Sequence, residues 1–239
     1  MNISAIIKKE NRLFLNSPIT YVTSVLFLIL TATAFFFFTD SGSKETPLFR
    51  SYFNFFPLIF IVFIPAFSMR SWAEEKKNGT MEILLTMPFR EIDLVIGKFV
   101  SYFVFFLLSI IPTLFVPLTL SGTGSFDIGQ IAAEYLGVIL SGSMCIAVGF
   151  LFSSISSNQI SAFLLSFFSL SFLVLIGHPF VTIYLPDSLF PLLRSISIYF
   201  HFDSFKKGIL DSRDLLYFVL LTIFFLYLTI KTISFKKWE

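Results

Sequence analysis

The chain has 239 residues, of which 56% are hydrophobic and 19% aromatic, while only 13% carry a charge. Soluble domains carry about 25% charged residues, so this composition, with a mean hydropathy of +0.86, indicates a protein surrounded by membrane lipid. The net charge of +2 and the lack of a basic patch interleaved with aromatic residues argue against nucleic acid as a partner, and the single cysteine excludes an internal disulfide.

Residues 2–16 have the pattern of an amphipathic helix that lies at a membrane surface. The apolar side chains near one face are Ile3, Ile6, Ile7 and Phe14. Charged side chains occupy the other faces, and a disordered polar tail is the alternative for this segment. Ser17 and Pro18 then fit the cap and the first position of the next helix.

Six apolar stretches are long enough to cross a hydrocarbon core of about 30 Å, which takes about 20 helical residues. They cover about residues 18–38, 53–72, 95–119, 131–153, 160–177 and 214–232. Residues 178–212 have mixed polarity, and we expect short surface helices there, before the last span. The sequence therefore predicts an all-α membrane protein with one transmembrane domain over residues 1–239.

Small residues recur at every fourth position along the fourth predicted span. Gly137, Ser141, Cys145 and Gly149 fall on one face of a helix at this spacing. Small side chains let another helix backbone approach closely, which is how helices associate in lipid. We therefore expect a packing groove in which Cys145 is a small buried residue rather than a nucleophile or a metal ligand.

The one long charged passage between two strongly apolar runs covers residues 70–88. Its first half, with Glu74 and Glu75, extends the preceding helix beyond the lipid. Gly79 is able to take the left-handed conformation that ends a helix. The sequence therefore predicts a helix that leaves the membrane and ends at a sharp corner.

A second, short helix is predicted directly after this corner. Thr80 stands where an N-cap belongs, Glu82 falls in the first turn, where the helix dipole favours a carboxylate, and Pro88 ends the helix. The residues that give this helix an apolar side are Met81, Leu84 and Leu85. That side would face water unless a partner covers it, and a solvated loop between two spans is the alternative.

The basic residues predict the orientation in the membrane, because positively charged loops stay in the cytoplasm. Eleven lysines and arginines fall on the side that carries both chain ends and residues 70–88, and six fall on the other side. Both termini and the corner are therefore predicted to be cytoplasmic. The short helices before the last span are predicted to be extracytoplasmic.

No arrangement of residues in the sequence points to catalysis or to a metal centre. The chain lacks the Gly-x-x-x-x-Gly-Lys-Ser/Thr phosphate loop, so we do not expect it to bind ATP itself. Glu134 lies one turn into the fourth span, where it fits an interfacial acid better than the lining of a cavity. His178 and His201, with Asp187 or Asp203, lack tight ligand spacing, so a structural role is expected. The scarcity of charges at membrane depth also argues against ion-coupled transport.

Several stretches of the chain resemble one known family. The run RSWAEEKKNGTMEILLTMP over residues 70–88, followed by Gly97-Lys98-Phe99, resembles the signature of the permease subunits of ABC-2-type ABC transporters. Other stretches that fit this group are Ser17-Pro18, Ile110–Thr113, Ser157–Ile160 and His201–Phe205. Within the group, the chain is most similar to permeases of the gliding-motility-associated kind.

This resemblance implies a permease subunit of the bacterial inner membrane that works with a cytoplasmic ABC ATPase, which would hold the ATP and Mg²⁺ that this chain does not bind. The corner would be a coupling helix seated in a cleft of the ATPase, with the turn before the fifth span as a smaller second contact. The residues implied in this coupling are Glu74, Glu75, Gly79, Thr80, Met81, Glu82, Leu84, Leu85, Pro88, Ser157, Asn158 and Gln159.

The resemblance also implies further partners and a direction of transport. The permease would pair with a second copy of itself or with a homologous permease, and it would export a substrate. For the subgroup, an extracytoplasmic companion protein is a further partner. A non-transporting membrane anchor that couples an ATPase to an envelope machine is the alternative function.

Overall fold

The structure is a computed structural model, and it describes residues 3–38, 52–86, 90–120, 128–182 and 190–236. Every regular element within these ranges is a helix. In chain order the helices are α1 Ile3–Asn16, α2 Pro18–Phe38, α3 Phe56–Ser68, α4 Arg70–Lys77, α5 Thr80–Thr86, α6 Glu91–Ile110, α7 Phe115–Leu120, α8 Ile128–Ile155, α9 Gln159–Leu175, α10 Pro179–Thr182, α11 Phe190–Ile196, α12 Ile198–Lys206 and α13 Ser212–Lys236. A short 3₁₀ helix, Ile111–Leu114, joins α6 to α7.

Five helical stretches of the described chain are long and apolar enough to cross a membrane. They are Pro18–Phe36, Phe56–Lys77, Glu91–Leu118, Ile128–Ile155 and Ser212–Phe235. These stretches confirm the prediction of an all-α membrane protein. The fifth predicted span corresponds to α9, which has 17 residues and is shorter than the other five.

The long helices run back and forth between two ends of one bundle. We call the end that holds α4 and α5 the corner end, and the end that holds α12 the far end. The helix α9 begins beside α4 and finishes beside α12, where the backbone of Gly177 lies against Ser197. The next long helix, α13, runs parallel to α8: Gly208, just before α13, lies against Gln130 near the start of α8. The last turns of α13 are therefore level with the end of α8, at the corner end.

The helix α8 lies at the centre of the bundle and packs against α3, α4, α9, α12 and α13. The residues predicted to form its packing groove, Gly137, Ser141, Cys145 and Gly149, are buried. A Cβ atom on Gly137 would lie 2.7 Å from Cβ of Phe205, and one on Gly149 would lie 1.9 Å from Oγ of Ser68. The glycines therefore allow α12 and α3 to approach the backbone of α8 more closely than a larger residue would permit.

Gly142, which is outside the predicted four-residue series, makes the same kind of contact with an aromatic ring. A Cβ atom there would lie 2.0 Å from Cζ of Phe106, whose side chain is fully buried. Phe106 also makes an edge-to-face contact with Phe60 of α3 at 5.6 Å. One missing side chain on α8 thus lets an aromatic residue of α6 reach the aromatic core around α3.

We predict that Gly149→Ala lowers the stability of the protein, because the added methyl group would overlap Oγ and Cβ of Ser68. Overpacking of a filled core costs about 1–3 kcal/mol. Thermal unfolding of the purified protein in detergent measures this effect. The control is Ile155→Ala on the same helix, whose side chain is 50% exposed. Equal unfolding midpoints for the two variants would contradict the close contact.

Candidate functional site

The corner begins at Met69, the one residue between α3 and α4. The hydroxyl of Ser153, near the end of α8, accepts hydrogen bonds from the backbone N–H groups of Trp72 (3.0 Å) and Ala73 (3.1 Å). The same hydroxyl donates to the carbonyl oxygen of Met69 at 2.9 Å. This side chain is inserted among the helical hydrogen bonds of the junction. Ser153 therefore fixes the contact of α4 with α8.

The C-terminal end of α4 is closed by Gly79, as the sequence predicted. Gly79 has a φ of +67°, in the left-handed region that glycine adopts without strain. Thr80 does not act as the expected N-cap: it is the first residue of α5, and its hydroxyl donates to the carbonyl oxygen of Glu75 at 3.2 Å. The last carbonyls of a helix have no partner within it, so the hydroxyl of Thr80 stabilises the end of α4 instead of the start of α5.

The apolar side of α5 is only partly free, contrary to the prediction that a partner must cover it. Met81 is 5% exposed and belongs to the core, and Leu84 is half-buried against the same core. These two residues share one face at a spacing of three, and α5 lies against α4. Of the apolar side chains of α5 that are described, Ile83 is instead the exposed one, at 59%. The side chain of Leu85, and Pro88 as a whole, lie outside the described residues.

A buried ammonium group joins the corner to two other helices. Lys98 of α6 is 2% exposed, and its Nζ lies 2.7 Å from Oε2 of Glu75 and 3.9 Å from Oε1 of Glu10 in α1. The same Nζ donates to the carbonyl oxygen of Ser71 at 2.6 Å and lies 4.3 Å from the centre of the Trp72 ring. Lys98 therefore contacts α1 and α4 from its own position in α6.

The turn between α8 and α9 is held against the corner by Lys76. Its Nζ donates to the carbonyl oxygens of Ser154 and Ser156, the second at 2.9 Å. The predicted second contact, Ser157, Asn158 and Gln159, follows directly: the first two residues are exposed and Gln159 is half-buried. The side chain of Asn158 also caps α9 by accepting from the N–H of Ser161 at 2.8 Å. The structure thus places both predicted contact regions at the same end of the bundle.

The surface of the corner carries both signs of charge. Arg70 and Glu74 form an ion pair at 2.7 Å that is partly exposed, and Glu82 is exposed in the first turn of α5, as predicted. The pair between Arg70 and Glu74 is a helical one, four residues apart, and such exposed pairs contribute little to stability. The exposed charges are therefore available to a partner, whereas the buried pair of Lys98 and Glu75 holds the helices of the corner together.

A second buried polar cluster lies at the far end of the bundle. Lys206 of α12 is 4% exposed, and its Nζ donates to Oδ1 of Asn54 at 2.6 Å and lies 2.9 Å from Oδ1 of Asp203. Burial alone would raise the pKa of Asp203, but hydrogen bonds from Lys207 and Lys206 lower it overall. This cluster connects α12 to the chain that enters α3.

Glu134 belongs to the same end of the bundle and is fully buried, which differs from the exposed interfacial acid that the sequence favoured. Its Oε1 accepts a hydrogen bond from Nε2 of Gln130 at 3.0 Å, and that Nε2 also donates to the carbonyl oxygen of Lys206 at 3.3 Å. Because Glu134 lies only one turn into the fourth span, the sequence favours a position near the lipid headgroups. The packing of α12 over the start of α8 removes this carboxyl group from solvent.

The two histidines have separate surroundings. His201 pairs through Nδ1 with Oδ1 of Asp214 at 2.6 Å, contacts the carbonyl oxygen of Ser195 through Nε2 at 3.0 Å, and stacks on Tyr217. Desolvation, followed by the nearby charge of Lys206, lowers the pKa of His178. Among the described residues, no group of three or more histidine, cysteine, aspartate or glutamate side chains could hold a metal ion.

Sequence reasoning missed three residues that hold the corner together: Ser153, Lys76 and Lys98. Ser153 continues the four-residue spacing of Gly137, Ser141, Cys145 and Gly149, and nothing in that spacing signals a hydrogen bond to another helix. Lys76 and Lys98 are basic residues on the predicted cytoplasmic side, and Lys98 also belongs to the Gly97-Lys98-Phe99 stretch, but neither feature predicts a buried contact. One signal was available for Lys98, because it is the one charged residue in an otherwise uncharged stretch from Leu94 to Leu108.

A family model described as "ABC-2 family transporter protein" matches residues 2–231 of the chain. The chain belongs to the ABC-2 family of transporter proteins. As a member of this family it is a multi-pass membrane protein and a transmembrane permease domain, not an ATPase. Permeases of this family normally work with an ATPase subunit and often as dimers. The comparison with curated proteins gave no match.

We predict that Lys98→Met strongly destabilises this ABC-2 permease, because the carboxylate of Glu75 would lose its closest cation and the carbonyl oxygen of Ser71 would lose its donor. Removing one partner of a buried ion pair costs about 3–5 kcal/mol. Thermal unfolding in detergent measures the loss. The exposed Lys8→Met is the control, and adding Glu75→Gln to Lys98→Met should restore part of the stability. A Lys98→Met protein as stable as Lys8→Met would contradict the role of this ammonium group.

Proposed function

We propose that this chain is the permease subunit of a bacterial ABC transporter, and that the corner formed by α4 and α5 receives the motion of a separate cytoplasmic ATPase. The observation that carries this proposal is that the corner is held on several membrane helices at once while α5 keeps an exposed tip. A segment that only connects two spans needs no such attachment. A segment that transmits force needs both the attachment and a free surface.

The attachments reach α1, α3, α6 and α8. The helix α4 follows α3 directly after Met69, Ser153 and the carbonyls near Ser154 hold it to α8, and Lys98 holds it to α6 and α1. Packed protein interiors have low compressibility and transmit strain. A displacement of α5 by the ATPase would therefore move several membrane helices together rather than bend one loop.

The free surface of the corner has the composition of a docking site. The exposed residues that we assign to contact with the ATPase are Gly79, Thr80, Glu82, Ile83, Ser157 and Asn158, whereas the half-buried Glu74 would act through its ion pair with Arg70. Met81 and Leu84, which the resemblance implies as contact residues, would instead hold α5 in position by packing against the core. Glu75 would act through its ion pair with Lys98. ATP and Mg²⁺ would bind to the ATPase and not to this chain.

For the arrangement in the membrane we propose six crossings, with the corner and both termini in the cytoplasm of the inner membrane. Support comes from the directions of the helices, because α8 and α13 run parallel and α9 returns between them from the corner end to the far end. The 17 residues of α9 would cover about 25 Å at 1.5 Å per residue. With α9 as a crossing, α1 and the end of α13 fall on the same side as the corner, which agrees with the distribution of basic residues.

The family resemblance also supports proposals about the partners of the permease and the direction of transport. We propose that the permease forms a dimer with a second copy or a homologous permease, that it exports its substrate, and that it belongs to the gliding-motility-associated subgroup. An extracytoplasmic companion protein would then meet the far end, where α11 and α12 cover the bundle. The lipid-facing side chains of α2, α9 and α13 leave ample apolar surface for pairing.

We predict that Ile83→Asp weakens the complex with a co-expressed cognate ATPase at least tenfold, because a charge would replace an apolar side chain in the contact. The matched control is Ile209→Asp, which changes a similarly exposed isoleucine (56%) at the far end. Co-purification and permease-stimulated ATP hydrolysis measure both variants. If Ile83→Asp and Ile209→Asp retain the ATPase equally, α5 is not the docking site.

A further inference from the structure

A cavity of about 340 Å³ lies at the corner end, between α1, α2, the junction of α3 with α4, and α6. Its size falls within the usual range of small-ligand sites, about 300–1,000 Å³. The lining is divided into two parts. The polar part holds Lys9, Glu10, Arg70, Glu74, Glu75 and Lys98, and the apolar part includes Leu13, Phe14, Ile19, Ala66, Phe67 and Tyr102.

The charges in the polar part balance, because three cationic side chains face three carboxylates. Two charged side chains of this lining are the most accessible: Lys9, with 52% of its side chain exposed, and Glu74, with 36%. The other four charged side chains are 24% exposed or less. The accessible part of the lining therefore offers one cation and one carboxylate, which suits a ligand that carries both charges.

The apolar part lies beside the lipid. Leu13 of α1 and Ile19 of α2 line the cavity and are 55% and 43% exposed, so the mouth of the cavity is bordered by apolar side chains at the membrane surface. Phe14 and Phe67 form the inner wall, where they stack at 5.7 Å. A ligand that enters here must therefore have a charged end and an apolar end.

We propose that this cavity binds the headgroup of a zwitterionic aminophospholipid from the adjoining leaflet. The phosphate would accept a hydrogen bond from Nζ of Lys9, and the ammonium group would pair with Glu74. The acyl chains would leave past Leu13 and Ile19. A headgroup with a net negative charge fits less well, because it brings no cation to Glu74 and the balanced charges of the lining give no net attraction for its excess charge.

Such a lipid would lie next to the contacts of the corner. Glu75 and Lys98 line the cavity and form the 2.7 Å pair that joins α4 to α6, and Glu10 brings α1 to the same place. The bound lipid would therefore stabilise the position of α1 against the corner. This inference needs no ATPase, so it is tested on the purified permease alone. Its failure would leave the proposed docking function unaffected, and the reverse also holds.

The experiment measures lipid retention by native mass spectrometry after the protein is extracted from vesicles that contain equal amounts of phosphatidylethanolamine and phosphatidylglycerol. Unmodified protein should retain phosphatidylethanolamine at least tenfold more than phosphatidylglycerol. Ala66→Phe places a ring in the cavity and should abolish this retention. Val62→Phe, one turn earlier on α3 and outside the cavity lining, is the matched control and should retain the lipid.

A second variant keeps the test decisive if Ala66→Phe fails to fold. Glu74→Gln removes the proposed partner of the ammonium group but keeps the shape of the side chain, and it should reduce the preference for phosphatidylethanolamine to less than twofold. Equal retention of the two lipids by unmodified protein would overturn the proposal, as would equal retention by Ala66→Phe and Val62→Phe. A preference that is unchanged in Glu74→Gln would overturn the assignment of the ammonium group.

Discussion

The corner of this permease depends on one buried ammonium group. Lys98 comes from an otherwise uncharged stretch of α6, Leu94 to Leu108, and it reaches a carboxylate, a backbone carbonyl and an aromatic ring of α4 together with a carboxylate of α1. A buried charge is stable only when its surroundings satisfy it. The ammonium group therefore holds in place the helices that satisfy it, and any rearrangement that separates α4 from α6 would leave a charge in the core without compensation.

The hydroxyl of Ser153 complements this electrostatic contact on the opposite side of α4. It accepts from two N–H groups and donates to one carbonyl, so a neighbouring helix makes three of the hydrogen bonds around Met69, while the N–H of Met69 itself donates to the carbonyl oxygen of Pro65. The close approach that this requires is possible because Gly149, one turn before Ser153, leaves room for Ser68. The small residues of α8 thus have two roles: the glycines bring the helices together, and the serine forms a hydrogen-bonded link between them.

Sequence patterns identified the class of protein and several local features. The apolar runs predicted an all-α membrane protein, Gly79 was correctly placed as the end of α4, and α1 ends at Asn16, as predicted. These features follow from composition, periodicity and the special conformation of glycine. The fifth span was predicted at about residues 160–177, and the corresponding helix α9 covers Gln159–Leu175, which is shorter than the other five. The length of a short apolar run does not by itself reveal whether its helix crosses the whole membrane.

Other features depend on contacts between distant parts of the chain and were not predictable in this way. Among the apolar side chains of α5 that the structure describes, Ile83 is exposed and Met81 is not, because the rotation of a seven-residue helix is set by the surface on which it packs. Glu134 is buried because α12, about seventy residues later, covers it. The role of Lys98 was hidden for the same reason, because its partners come from α1 and α4.

The central claim is that α5 lies on the cytoplasmic face and is covered by the ATPase when the two proteins are joined. Labelling of an Ile83→Cys variant with a membrane-impermeant maleimide tests it most directly, since the native Cys145 is fully buried. In sealed inside-out vesicles the introduced thiol should react, and the cognate ATPase should protect it. Labelling only in right-side-out vesicles, or equal labelling with and without bound ATPase, would contradict the account.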